Sequence, residues 1–512
     1  MKKQTMSLAV TAALLGGTVS AYGSMYTNDR GLGEALIYPL YSAANGNDTQ
    51  IHIVNTTDYT KAVKVRFIEA RNSAEVLDFN LYLSPQDEWA GVVTANPAEG
   101  ATGAIIRTVD NSCTVPELGT AGGANVGELA GTQTELPNGK ILRDQPFVNF
   151  KYLSDADLSE DAETGLIRTT EGYIEIIEMG QLDPSFGLGN DAVHNASGVP
   201  NDCAELVAAW TTTGADVGIW DQDPQAQLLT SWMGGGLYGY GVLINVAEGT
   251  ASGYDAVAIE GFNDAARPSP LHFAPGDESP SLEDATDEVV IFNDGASMDY
   301  FFDDGKDAVS ALFTTIGISN DYVIDPDLNA LTDWVITMPT KRFYVQGDPA
   351  LPALPPFSSN WNGLTACEPV AIGVWDREEA FEPPSPDGPV FSPQPPATPG
   401  TDTVICTEVS VVTFGDGSAV NASDAIRYGF SPDYNEGWAA LSFAPTLVNT
   451  TLPAGARQLT SSDGEVFEGL PATGFAVFEY VNGTLEGGSV LANYAAAVDH
   501  KTDLVISAGT AP

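Results

Sequence analysis

Residues 61–89 read KAVKVRFIEARNSAEVLDFNLYLSPQDEW, and their alternation decides the fold class. Val63, Val65 and Phe67 fall on one side of an extended chain and Lys64 and Arg66 on the other, the period of two of a half-buried strand. Leu77, Phe79, Leu81 and Leu83 repeat the pattern. Asp78 and Asn80, outward partners in that second run, are expected opposite Lys64 and Arg66, a cross-strand match that fixes register. Asn55-Thr56-Thr57-Asp58 supplies the turn ahead of the first run.

Working outward, turn signals at short intervals make residues 22–108 an N-terminal β-sandwich. Residues 403–512 alternate in the same way, through Val409, Val411 and Thr413, then Trp438 to Phe443, then Phe475 to Val481. The Asn482-Gly483 pair that follows is the dipeptide of a tight hairpin, and a C-terminal sandwich is expected. Residues 109–347 form a middle β-rich region with two short helices. In the first, Asp202 and Glu205 make a capping box ahead of Leu206, Val207 and Trp210. In the second, Val309, Leu312, Phe313 and Ile316 form an apolar stripe after Gly305. Residues 348–402 are Pro-rich, with Pro355-Pro356, Pro383-Pro384 and Pro395-Pro396, are interrupted by an ordered-looking stretch around Cys367 to Glu379, and read as a disulfide-stapled surface excursion. The expected fold is mainly β: tandem immunoglobulin-like β-sandwich domains around a mixed middle region.

Lys2 and Lys3 precede an apolar run from Met6 to Val19 that is too short to span a bilayer, and small residues surround Ala21. Residues 1–21 are therefore expected to be a cleavable signal peptide. No later segment has eighteen consecutive apolar residues, so no membrane insertion is expected. The chain holds 69 acidic against 20 basic residues, a net charge of −49. Such a surface repels nucleic acid and anionic lipid and attracts divalent cations. Four cysteines in an exported chain point to two disulfides. Proximity favours Cys113 with Cys203 and Cys367 with Cys406, though spacing alone leaves three connectivities open.

Several segments together resemble a family of uncharacterised exported, cell-surface or surface-layer-like β-rich proteins of Gram-negative bacteria. They are GEALIYPLY at 33–41, the run from Val63 to Trp89, DWVITMPTKRFYV at 333–345, CEPVAIGVWDREE at 367–379 and GWAALSF at 437–443. The resemblance implies a location and an architecture, and brings no catalytic residue with it.

Chemistry is sparse. Only four histidines exist, His52, His194, His272 and His500, without the paired spacing of a zinc hydrolase. There is no Gly-x-Ser-x-Gly elbow. His500 beside Asp499 reads as a solvated strand end, and Lys341-Arg342 as a strand end or a contact with a neighbouring subunit. The best ligand candidates are aspartate doublets suited to calcium: Asp155 and Asp157, Asp221 and Asp223, Asp325 and Asp327, and the cluster Asp299, Asp303 and Asp304 with Asp307. The competing reading makes them turn-forming residues. Trp232, Tyr238 and Tyr240 offer faces for stacking on a ligand, against a stronger expectation of core packing. The functional expectation is an exported structural cell-surface, matrix or filament component that assembles noncovalently, with calcium as a candidate bridge, by self-association or with other envelope components. A secreted adhesin or ligand-binding protein is the alternative, with a secreted hydrolase third.

Overall fold

The computed structural model describes residues 24–120, 131–148, 165–212, 217–230, 234–263, 271–293, 295–382, 403–448, 451–483 and 492–508. The expected signal segment, Asp155, Asp157 and Trp232 lie outside them. The chain is mainly β, with several antiparallel sheets.

The run that opened the sequence reading becomes the strands Thr60–Glu69 and Glu75–Leu83, paired with Val63 opposite Leu81, Val65 opposite Phe79 and Phe67 opposite Leu77. They belong to a seven-stranded antiparallel sheet. Across it lie Tyr26–Thr27, Val257–Glu260, Ala35–Ser42, Glu171–Leu182, Thr60–Glu69, Glu75–Leu83 and Cys113–Val115. A second seven-stranded sheet, from Thr250–Asp255 at one edge to Thr132–Glu135 at the other, packs against it over one apolar core. Phe67, Phe79 and Ile176 of the first sheet meet Ile51, Trp89 and Ile106 of the second in that core. The central strand Glu171–Leu182 lies between Ala35–Ser42 and Thr60–Glu69. The first sandwich is thus completed by residues far beyond 108, and the expected boundary there is not a structural one.

The expected half-buried strand is buried on both faces. Lys64 and Arg66 are 0% and 2% exposed, and the segment around 273–277 lies across Lys64 and its neighbour Asn80. Lys64 donates to Asp78 at 2.8 Å and to the carbonyls of Ala274 and Asp277 at 2.9 and 3.2 Å. Arg66 bridges Glu75 and Glu175, each at 2.6 Å. Alternation reports which face is polar; whether water reaches it depends on what packs there.

The second half is built on a five-stranded sheet ordered Arg427–Phe430, Val409–Phe414, Ala330–Thr337, Thr473–Val481 and Asn493–Asp499. Its first two strands run parallel. One face of this sheet (Val335, Val411, Phe475) joins the core of the first sandwich. The other (Trp334, Phe414, Ala476) packs on a facing sheet that contains Gly317–Val323, Glu436–Ser442 and Glu368–Asp376. A sheet covered on both faces needs the near-continuous apolar runs seen in DWVIT and VSVVTF. Glu368–Asp376 lies inside the expected Pro-rich excursion, yet it is an interior strand of its sheet, and Glu368 is fully buried and bonded to Arg457.

Both expected helices form, at Cys203–Ala209 and Gly305–Phe313, each capped by the side chain of the preceding aspartate, Asp202 or Asp304. Three one-turn helices join them: Gly187–Asp191, Ile219–Gln222 and Arg342–Val345. Asn482-Gly483 does not close a two-residue hairpin, because Val481 pairs with Asn493 and leaves a longer connection. Lys341 and Arg342 are interior. Lys341 donates to the Cys406 carbonyl at 3.2 Å, and Arg342 faces Glu175 at 3.5 Å across the junction of the two halves. His500 is buried with Nε2 at 2.9 Å from the Val335 carbonyl, and burial lowers its pKa to about 4. Cys113 bonds Cys203 and Cys367 bonds Cys406, the pairing that proximity favoured. Among the described residues no helix is long and apolar enough to cross a membrane.

Candidate functional site

Four adjacent strands, Phe381–Glu382, Glu368–Asp376, Glu436–Ser442 and Gly317–Val323, place one residue each in a row across the sheet. Phe381 pairs with Trp375, Trp375 with Trp438, and Trp438 with Asp321. Because side chains alternate along a strand, Trp375 and Trp438 point away from the core that buries their neighbours Val374 and Ala439. The rings stack: Trp375 on Trp438 at 4.0 Å and 4°, and Phe381 on Trp375 at 4.6 Å and 21°. Trp438 and Phe381 remain 41% and 46% exposed. Aligned, solvated aromatic surface of this extent is characteristic of recognition surfaces.

Beside the ladder lies a cleft of about 690 Å³ walled by Asp321, Tyr322, Asp376, Arg377, Glu379 and, from the facing sheet, Tyr480. Gly437 sits between Asp376 and Tyr322 in the next row, at φ +152°. A Cβ there would stand 1.9 Å from the Trp375 carbonyl oxygen, so the position admits only glycine and leaves the row open. Asp376 accepts from the backbone N–H groups of Glu378 and Ala380 at 2.9 and 2.7 Å. That turn aims Arg377 at Glu436, 2.9 Å away. Tyr322 is 1% exposed and stacks on Phe414 at 5.1 Å. Its hydroxyl has no hydrogen-bond partner among the described residues. Burial, and then the charges of Glu382 and Asp376, raise its pKa, so the phenol stays neutral.

The described lining contains no serine, cysteine, histidine or lysine. The arrangement offers aromatic surface, carboxylate acceptors and two phenols, groups able to hold a polar ligand.

The residues singled out from sequence lie elsewhere. Tyr238 and Tyr240 do share a strand face, but it is the outer face of the second seven-stranded sheet and not the core. Tyr240 stacks on His52 at 4.4 Å, and His52 Nδ1 lies 2.8 Å from Glu88. Neither tyrosine lines the cleft. Four of the aspartates accept hydrogen bonds. Asp223 accepts from the Gln225 N–H, Asp325 from the Asp327 N–H and Asp304 from the Asp307 N–H, while Asp303 accepts from the Ser462 hydroxyl. Asp221 lies in the one-turn helix Ile219–Gln222 and Asp299 in the strand Ala296–Phe301. Among the described residues no group of three or more histidine, cysteine, aspartate or glutamate side chains is placed to hold a metal ion.

The sequence reading missed Trp375, Trp438, Phe381 and Tyr322. Two of the quoted segments, GVWDREE and GWAALSF, each carry an outward tryptophan, but only strand pairing brings those tryptophans together.

Comparison of the chain with protein-family models, with curated proteins and with solved structures finds no match.

Proposed function

We propose that this is an exported, cell-surface or periplasmic binding protein that takes the ring of a carbohydrate in the Trp438 cleft. The aromatic ladder beside open carboxylates carries this reading: a sugar ring lays its C–H face on an indole while its hydroxyls bond to acidic side chains. In this reading the paired sheets act as tandem immunoglobulin-like sandwiches, a rigid mount for a site built on strands. No bond-breaking chemistry is assigned to the cleft. The two disulfides fit an oxidising compartment, in line with the expected N-terminal signal peptide. Intrinsic tryptophan fluorescence titrated with a panel of oligosaccharides tests the reading: at least one should shift the emission, and Trp438→Ala should abolish the response. A flat response across the panel, or one indifferent to Trp438→Ala, removes this assignment.

A second reading, noncovalent assembly into a surface layer, matrix or filament, rests on charge. Lys61, Lys64, Arg66, Arg168, Lys341, Arg342 and Arg457, seven of the twenty basic residues, are buried. Ten acidic side chains are buried beside them, so the buried charges come close to balancing and the acidic excess of the chain lies on its surface, where calcium bridging of carboxylates would draw copies together. Light scattering that stays monomeric from zero to millimolar calcium would exclude it.

A further inference from the structure

We propose that the sugar bound in the Trp438 cleft carries a free amine and is recognised as a cation; this rests on the carbohydrate reading above. The charge inventory of the cleft is lopsided. Asp321, Asp376 and Glu379 line it, and the one guanidinium of its described lining, Arg377, is already bonded to Glu436. Of these carboxylates, Asp376 is committed to its own turn. Among the described residues no side-chain hydrogen bond holds Asp321, which stands at the open end of the ladder opposite Trp438. An acidic sugar would be repelled here, and a neutral one would leave the excess charge unmatched. A cation is attracted twice, by the carboxylates and by the negative faces of the stacked rings.

An independent observation points the same way. The Tyr322 hydroxyl is buried, lines the cleft and lacks a partner among the described residues. Buried polar groups in folded proteins are nearly always hydrogen-bonded, so an orphan at the wall of a cleft marks where a ligand atom bonds. The phenol is neutral and surrounded by the carboxylates of Glu382, Asp376 and Glu436. Its oxygen therefore has lone pairs free to accept from an ammonium, and the carboxylates reinforce that polarity.

The test uses three tetrasaccharides that differ in charge or in one substituent: tetraglucosamine, its fully N-acetylated counterpart and a glucose tetramer. Each is titrated calorimetrically into the whole protein at mildly acid pH and in enough salt to screen the general negative surface. Tetraglucosamine should bind about tenfold or more tightly than either neutral tetramer. Asp321→Asn, an isosteric change at an exposed position, should shrink that preference. Tyr322→Phe should weaken tetraglucosamine binding while leaving the melting temperature equal or higher, since it deletes an unpartnered group. Equal affinity for all three, lost in Trp438→Ala, overturns the amine requirement and leaves the carbohydrate reading standing. Absence of binding by all three overturns the carbohydrate reading and this inference with it. Tetraglucosamine binding that survives Trp438→Ala places the cation elsewhere and also overturns the proposal.

Discussion

Lys61 donates to Glu178 over 2.5 Å with neither side chain exposed to solvent. The pair lies near Glu34 and Glu260, so one ammonium sits among three carboxyls at the edge of the first sandwich core. The Gly235 N–H and the Gln181 amide complete the bonding of Glu178 at 2.9 and 3.2 Å. Removing the cation leaves a buried carboxylate without its counter-charge. Lys61→Met should cost about 3–5 kcal/mol in urea unfolding. Adding Glu178→Gln should recover part of that loss, because glutamine is neutral and still accepts from Gly235. A single variant within about 1 kcal/mol of the parent would show that the pair is not desolvated as described.

Stability should fall as the pH rises from about 6.5 to 8.5. Glu34 is pushed up to about 8 by burial and then by the charge of Glu178, and burial also lifts Glu408 to about 8, against 4.5 for a free glutamate. A carboxyl with a raised folded pKa binds more protons folded than unfolded. Its contribution is therefore complete below about 4.5 and lost as the pH climbs through 8. His272 and His500, lowered by burial to about 4, work in the opposite sense between 4 and 6.5, and both are neutral in either state above that window. Urea midpoints measured across the upper window should decline, and Glu34→Gln should flatten the decline. A rising midpoint would contradict the burial of these carboxyls.

Gly437→Ala should both destabilise the protein and close the cleft. The added methyl would meet the Trp375 carbonyl at 1.9 Å, and the backbone φ of +152° already disfavours a side chain. A loss of about 1–3 kcal/mol is expected for such strain. Thermal melting measures it, and the fluorescence titration used for Trp438 reads the accompanying loss of ligand response.

The Cys367–Cys406 disulfide closes a loop with sequence separation 39 and anchors the strand that carries Trp375. Replacing both cysteines by serine should lower stability by roughly 4 kcal/mol on the loop-entropy account. The Cys113–Cys203 bond, with separation 90, should matter about as much. Urea unfolding with and without reductant checks both together, and insensitivity to the reductant would mean that neither bond constrains the unfolded chain.

Much of the local structure was legible. The alternation in 61–89 specified two strands and their register, because polar and apolar residues sort onto opposite sides of any extended chain. Asp202 and Asp304 mark helix starts through hydrogen bonds made within a few residues. The candidate site was less legible. Tyr238 and Tyr240 could be placed on one face from spacing alone, whereas the ladder needs Phe381, Trp375, Trp438 and Asp321 from four strands spread over more than a hundred residues. Nothing local to any one of them encodes the alignment.

By itself, then, the sequence determined that the chain is β-rich, strongly acidic and cross-linked by cysteines, since period, charge and thiol count are properties of short segments or of composition. The tertiary structure decided which strand lies beside which, and with it whether a polar face meets water or another layer. Strand pairing is chosen by the fit of side chains across a whole sheet, between residues far apart in the chain. That choice inserted Glu171–Leu182 beside Thr60–Glu69, turned Lys64 and Arg66 from expected surface residues into buried ion pairs, and stacked Trp375 on Trp438.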